Sequence, residues 1–278
     1  MYRERPGLST RGDQAAVPTF QTDGATLAYE LDPREGPVFV QTHGLTSSAW
    51  REHRSGLDMT GRLRGFRVLR YDARGHGSST GRTVPADYRW PQLGDDLLRL
   101  LDAVIPGQRV HIAGPSMGTA TALYAALKDP ERFASLSLLV PPTAWATRTE
   151  QAESYLKSAD LVENHGIGAF VRVGQSVLPP PALADRPRER VPAVSQELLP
   201  SIFRGAAMTD LPDQQELSGL GLPVQILAWV GDHAHPVSTA ERLHRLIESS
   251  RLSIAETPED LSGWPARVAR FVERHRAG

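Results

Sequence analysis

The sequence predicts an α/β fold: a mostly parallel central sheet flanked by helices, with a helical insertion late in the chain. Three observations carry this expectation. Apolar runs at 38–41, 136–140 and 223–230 do not alternate with polar residues, as expected for strands buried on both faces. Helical patterns fall between such runs, the clearest at 93–105, where Leu97, Leu100, Leu101 and Val104 share one face. Residues 109–127 pass from a short apolar strand through Gly114-Pro115-Ser116-Met117-Gly118 into an alanine-rich helical pattern.

Taken in order, residues 1–17 are polar, contain glycine and proline, and are expected to form a loose arm. Residues 20–31 alternate well enough for two strands that turn at Asp23-Gly24, a favoured hairpin dipeptide. The strand at 38–41 leads into Thr42-His43-Gly44-Leu45, and 47–59 suits the first helix. The strand at 66–71 is followed by the loop Asp72 to Ser79, where Asp72 and Arg74 are expected to form a structural ion pair. After the helix at 93–105 and the strand–turn–helix at 109–127, the strand at 136–140 is closed by Pro141-Pro142.

From 143 to 220 strand candidates stop. Helical stretches at 147–163, 166–177 and 193–206 are interrupted by Pro179-Pro180-Pro181 and a charged run at 185–190. The strand at 223–230 ends in Gly231-Asp232-His233-Ala234-His235-Pro236. A helix at 238–247, capped by Ser238 or Thr239, follows. A last strand at 251–256 and a last helix at 264–274 complete the order.

Composition narrows the function. The chain has 278 residues, 40% apolar and 23% charged, enough for one large domain with an insertion. Net charge is −1, from 31 basic and 32 acidic residues, so neither nucleic acid nor anionic membrane is the expected partner. Arginine greatly outnumbers lysine but is scattered among acids along the sequence, which predicts an ordinary solvated surface. The absence of cysteine excludes disulfides and thiol nucleophiles. No apolar run is long enough for a membrane span, and the first residues do not resemble a signal peptide, so a cytoplasmic location is expected. Oligomeric state and substrate identity are not readable.

The turn at 114–118 carries the chemistry. Glycines on both sides of a serine permit a turn too sharp for a β-carbon, and the turn projects the Ser116 hydroxyl from the carboxyl edge of the sheet. The N–H of Met117, at the start of the following helix, points into the same space. Four stretches stand in one order: Thr42-His43-Gly44-Leu45, Tyr71-Asp72-Ala73-Arg74-Gly75-His76-Gly77-Ser78, Gly114-Pro115-Ser116-Met117-Gly118, and Gly231-Asp232. On these residues the chain resembles the α/β-hydrolase fold family, and is most similar to its serine esterases and enol-lactonase-like hydrolases. The resemblance implies a core at 1–142 and 221–278 and a helical cap at 143–220, with Trp145, Phe170, Val171, Phe203 and Met208 as candidate pocket residues. It also implies Ser116 as nucleophile, Asp232 as the acid, and an oxyanion hole formed by the N–H groups of Leu45 and Met117. No cofactor and no metal is implied. Haloalkane dehalogenases and epoxide hydrolases have aspartate where Ser116 stands, so those classes are set aside.

One family element is missing. The base normally follows the last strand, but residues 254–264 contain no histidine, and Asp260 stands about where one is expected. Of the nine histidines, His53, His165 and His244 fall on helices away from the elbow and His111 lies on the elbow strand. His43 and His76 belong to bracing loops, and His275 ends the chain. His233 and His235 remain, on the loop of Asp232. A histidine three residues after Asp232 can donate to that carboxylate across one turn and face Ser116, so His235 is the expected relocated base. The function expected is therefore hydrolysis of a small carboxylic ester, lactone or thioester through an acyl-enzyme on Ser116. The alternative is a triad-deficient relative that binds a ligand or performs non-hydrolytic chemistry.

Overall fold

The computed structural model describes residues 17–186 and 191–276, apart from the side chains of residues 53 and 54. The expected N-terminal arm, but for residue 17, and most of the charged run at 185–190 lie outside the described residues. Eight strands form one sheet: β1 Thr19–Thr22, β2 Ala25–Leu31, β3 Val38–Gln41, β4 Arg67–Tyr71, β5 Val110–Pro115, β6 Phe133–Leu139, β7 Val224–Trp229 and β8 Ser250–Ala255. Their order is β1-β2-β4-β3-β5-β6-β7-β8. Only the β1–β2 and β2–β4 pairings are antiparallel, and the β4–β3, β3–β5, β5–β6, β6–β7 and β7–β8 pairings are parallel.

Two-sided burial explains why the strands read as continuous apolar runs. Along β3, Val38 and Val40 enter the cluster on one face of the sheet and Phe39 the cluster on the other, following the two-residue period of a strand. The first cluster joins α2 Trp90–Val104, α3 Met117–Lys128 and α7 Val237–Leu246 to the sheet. The second is closed by α9 Trp264–Arg274, through Trp264, Val268, Phe271 and Val272. The first helix, α1 Ala49–Ser55, is shorter than its pattern suggested, and α2 begins three residues earlier than its pattern. In α2 the extension follows from Pro91, whose fixed φ and missing N–H suit a first turn.

Between β6 and β7 the chain is helical, comprising α4 Arg148–Gly174, α5 Leu199–Ala207 and α6 Gln214–Ser218. The two stretches expected at 147–163 and 166–177 form one element, α4, broken at Gly166, whose φ of 74° and ψ of 167° leave the helical region. A third apolar cluster, with Tyr88, Ala159, Val162, Val194, Leu199, Ile202 and Phe203, joins α4 to α5.

Two local expectations are corrected and one short element is added. Helix α7 is preceded by Pro236 with no side-chain cap, so Ser238 and Thr239 lie inside its first turn. The segment after β8 forms a short helix, α8 Pro258–Ser262, closed by a Thr257–Asp260 capping box. Arg74 does not pair with Asp72. Its guanidinium holds Asp96 at 2.6 and 2.8 Å and Asp87 at 3.4 Å, while the Asp72 carboxylate accepts from the N–H groups of Ala49 and Ser78, both at 2.8 Å. The loop is braced as expected, but by a carboxylate 22 residues farther along the chain.

Candidate active site

Ser116 leaves β5 with φ 53° and ψ −110°, in a region that L-residues rarely adopt, and α3 begins at the next residue. Its N–H donates to the Leu139 carbonyl at 3.0 Å, and the Thr119 hydroxyl donates to the Gly114 and Leu139 carbonyls at 2.9 and 3.0 Å. These bonds clamp the turn against β6. A Cβ on Gly114 would stand 1.6 Å from Thr42 Oγ1, and one on Gly118 would stand 2.2 Å from the same atom. Both glycines are thus required because the loop after β3 lies directly against the elbow.

That contact yields a prediction. Gly114→Ala is expected to destabilise the fold by about 3 kcal/mol or more through overpacking. Adding Thr42→Ala, which removes the clashing hydroxyl, should recover part of the loss in a denaturant titration.

The loop after β3 packs beside the elbow, with Gly44 near Pro115. Thr46 has φ 63°, and the Ser47 N–H donates to the Gly44 carbonyl at 3.1 Å, placing Leu45 inside a tight turn. The Gly44 N–H donates to Glu52 at 3.2 Å. Glu52 is buried, and burial raises its pKa against the hydrogen bonds from Ser47, Gly44 and Ser55. Among the described residues, neither the Leu45 nor the Met117 N–H donates to a backbone carbonyl. Both donors are free, and Met117 sits at the positive end of a 12-residue helix.

His43 and His76 lie under this floor. The Ala73 N–H donates to His43 Nε2 at 2.9 Å, so the proton resides on Nδ1, which reaches the Gly44 carbonyl at 2.9 Å. Burial pushes His43 down to about 4, and burial together with neighbouring His43 pushes His76 down to about 3. His111, bonded to Ser135 Oγ at 2.7 Å, is pushed down by burial to about 4. None of these three can act as a base exposed to a substrate.

The same three rings predict acid sensitivity. A base whose folded pKa lies below its unfolded value leaves the unfolded chain to take up protons first. Stability is therefore full above about pH 6.5 and falls as the pH drops toward 4, by about 1 kcal/mol per imidazole at pH 5.5. Denaturant midpoints at pH 7.5 and 5.5 check this, and His111→Phe should flatten the difference.

On the neighbouring loop, the structure brings Asp232 and His235 together: His235 Nδ1 lies 2.8 Å from Asp232 Oδ2. The carboxylate also accepts from Trp229 Nε1 at 2.9 Å and from the Ala234 N–H at 3.0 Å. Burial alone would raise the Asp232 pKa, but the hydrogen bonds and charge of His235, then Trp229 and Ala234, hold it at about 2. A carboxylate cannot donate, so the His235 proton resides on Nδ1 and the Nε2 lone pair is left available. The Trp229 indole meets the His235 ring edge-on, with centroids 6.3 Å apart, and stacks on Trp264 at 6.0 Å. Trp229 thus fixes both members of the pair, a role hidden in the sequence inside an ordinary apolar strand.

Elbow and pair leave the same sheet edge. Pro115, Leu139 and Leu227 stand in one register across β5, β6 and β7. Two strand spacings, about 10 Å, separate the outer members of that row. The loop after β6 ties to the pair through the Thr143 N–H, which donates to the Ala234 carbonyl at 3.0 Å.

The other histidines are elsewhere. His233 and His165 are exposed, and His244 bonds Ser250 Oγ at 2.8 Å. His275 packs against Phe271 at the end of α9, and the His53 side chain lies outside the described residues. Asp260, where the family histidine was expected, accepts from Glu256 and Thr257 as part of the α8 cap.

In the helical insertion, Phe203 is buried between Tyr155 and Phe170, with centroids 6.0 and 5.2 Å away. The Trp145 indole donates to the Pro212 carbonyl at 3.2 Å, Val171 is half-buried, and Met208 is 58% exposed, which argues against a lining role for Met208. Sequence reasoning missed Arg148. It is buried over Trp90, 4.2 Å from the ring centroid, and donates to the carbonyls of Thr209 and Ala206 and to Thr143 Oγ1.

Residues 37–160 match the family described as the α/β hydrolase fold. A 3-oxoadipate enol-lactonase of Acinetobacter baylyi is 27% identical over 229 residues, covering 80% of this chain and 81% of that protein. A solved hydrolase from Pseudomonas aeruginosa superposes with a TM-score of 0.76 at 26% identity, over 95% of this chain and 99% of that one. The enol-lactonase from Burkholderia xenovorans superposes with a TM-score of 0.77 over 92% of this chain and 100% of its own, and at 22% identity it attests the shared fold. The chain has the α/β-hydrolase fold. These relatives are hydrolases of that fold. Among the described residues, no helix is long and apolar enough to cross a membrane.

Proposed function

We propose that the chain is a serine hydrolase that cleaves a small carboxylic ester, lactone or thioester through an acyl-enzyme on Ser116. The observation that supports this reading most strongly is the 2.8 Å Asp232–His235 contact, on the same sheet edge as the elbow. It supplies the tautomer a general base needs, on the acid's own loop rather than after β8.

In this mechanism Ser116 Oγ attacks the carbonyl carbon while His235 Nε2 takes its proton. The N–H groups of Leu45 and Met117 hold the developing oxyanion. The imidazolium, held against Asp232, returns the proton to the leaving alkoxide or thiolate as the C–O or C–S bond breaks. Water, deprotonated by the same nitrogen, then attacks the acyl carbon, releasing the carboxylic acid and restoring the serine. Residues 143–220 act as the cap over this site.

Trp229→Phe is expected to lower kcat about tenfold with KM unchanged, since it removes one charge-assisted donor to Asp232 and leaves the ring stack in place. The reading is tested with p-nitrophenyl acetate, dihydrocoumarin and an acyl thioester. Turnover of at least one, with an acid-quenched acyl group recovered on Ser116, is expected. No turnover of any and no trapped acyl group overturns the reading.

A second reading, a triad-deficient ligand-binding protein, rests on one observation. Among the described residues, Ser116 Oγ makes no hydrogen bond to His235, whose ring is engaged at Nδ1 by Asp232.

A further inference from the structure

Arginine is not evenly dispersed over this surface. Two segments more than two hundred positions apart, the loop before β4 and the last turns of α9, meet around a groove of about 630 Å³. Arg62, Arg64, Arg270, Arg274 and Arg276 line it, over a floor that includes Leu63 and Phe66, both buried. Among the described residues Glu273 is the only acidic one in the lining, and it is engaged by Arg276 at 3.2 Å. Arg276 also donates to the Gly65 carbonyl at 3.0 Å and lies 4.8 Å from the centre of the Phe66 ring, fastening the two segments together. Arg62, Arg64, Arg270 and Arg274 have no carboxylate partner among the described residues.

The ring beneath the groove feels the same charge. His111 meets the underside of Phe66 edge-on at 5.6 Å, and its Nε2 is buried without a partner. Burial, and then the positive charges of His275, Arg109 and Arg276, push the His111 ring's pKa down. The expectation of arginines diluted among acids therefore fails at this place, although it describes the chain's overall charge of −1. Strand direction puts the groove at the amino edge of the parallel strands, a strand length from Ser116 at the carboxyl edge.

We propose that this groove is a binding site for a small ligand carrying two or three adjoining phosphates. Guanidinium forks match phosphate oxygens two at a time, and four without a carboxylate partner among the described residues, on one concave surface, suit a short phosphate chain better than a single anion. The groove has the size of a small-molecule site. A chain of net charge −1 carries no overall positive balance to favour a nucleic acid backbone.

The test uses the full chain and isothermal titration with inorganic tripolyphosphate, adenosine triphosphate and inorganic phosphate at low and moderate salt. One tripolyphosphate per chain is expected, bound at least about tenfold more tightly than phosphate and weakening as salt rises. Equal affinity for adenosine triphosphate shows that the phosphate chain alone is recognised, and tighter binding adds a nucleoside contact. Arg62→Ala/Arg274→Ala should weaken tripolyphosphate at least about tenfold, Arg62→Lys/Arg274→Lys less, with the rate toward p-nitrophenyl acetate unchanged in both. The proposal is overturned if tripolyphosphate binds no more tightly than phosphate. It is equally overturned if Arg89→Ala/Arg99→Ala, away from the groove, costs as much, or if a short oligonucleotide outcompetes tripolyphosphate.

Discussion

Replacing Ser116 with alanine is expected to lower ester or lactone turnover by at least about a thousandfold, leaving a folded protein. The magnitude follows from the loss of the covalent path, since no cysteine is present and the neighbouring Met117 and Pro115 offer no nucleophile. Ser116→Gly separates function from stability. The native φ of 53° and ψ of −110° strain a serine but not a glycine, so this variant should be equally inactive and more stable by about 1 kcal/mol. A thermal melt beside a rate measurement reads both effects.

Replacing His235 with alanine is the second large effect, expected at about a thousandfold or more in kcat. The remaining imidazoles cannot substitute. His43 and His76 are buried with pKa values held at about 4 and about 3, and His111 is bonded to Ser135 inside the sheet. Residues acting as one unit show strongly non-additive losses. The Ser116→Ala/His235→Ala pair should therefore be no slower than the worse single variant. A double variant slower by the product of the two would mean that serine and imidazole act independently.

Much of the fold, the elbow and the Asp232–His235 contact was legible in the sequence because it depends on neighbours in the chain. The two-sided strands, the elbow glycines and the three-residue spacing from Asp232 to His235 are all local patterns. What was hidden depends on residues far apart in sequence. The partner of Arg74 is Asp96 on α2 rather than Asp72, two residues away. Trp229 reads as one more apolar strand residue until its N–H is seen on Asp232. Helix α8 was missed because five residues are too few to show a period, although Thr257 and Asp260 carry the capping-box spacing that could have revealed it. The arginine groove joins residues 62–66 to residues 269–276, and no window along the chain contains both.

The proposal that His235 accepts the Ser116 proton is tested most directly by the rate at which a fluorophosphonate labels Ser116 in the wild-type protein and in His235→Gln, followed by intact-mass spectrometry. Wild-type labelling to one adduct per chain is expected, with a rate in the variant lower by at least about a hundredfold. Labelling of His235→Gln at the wild-type rate would contradict the assignment and leave the serine without this base.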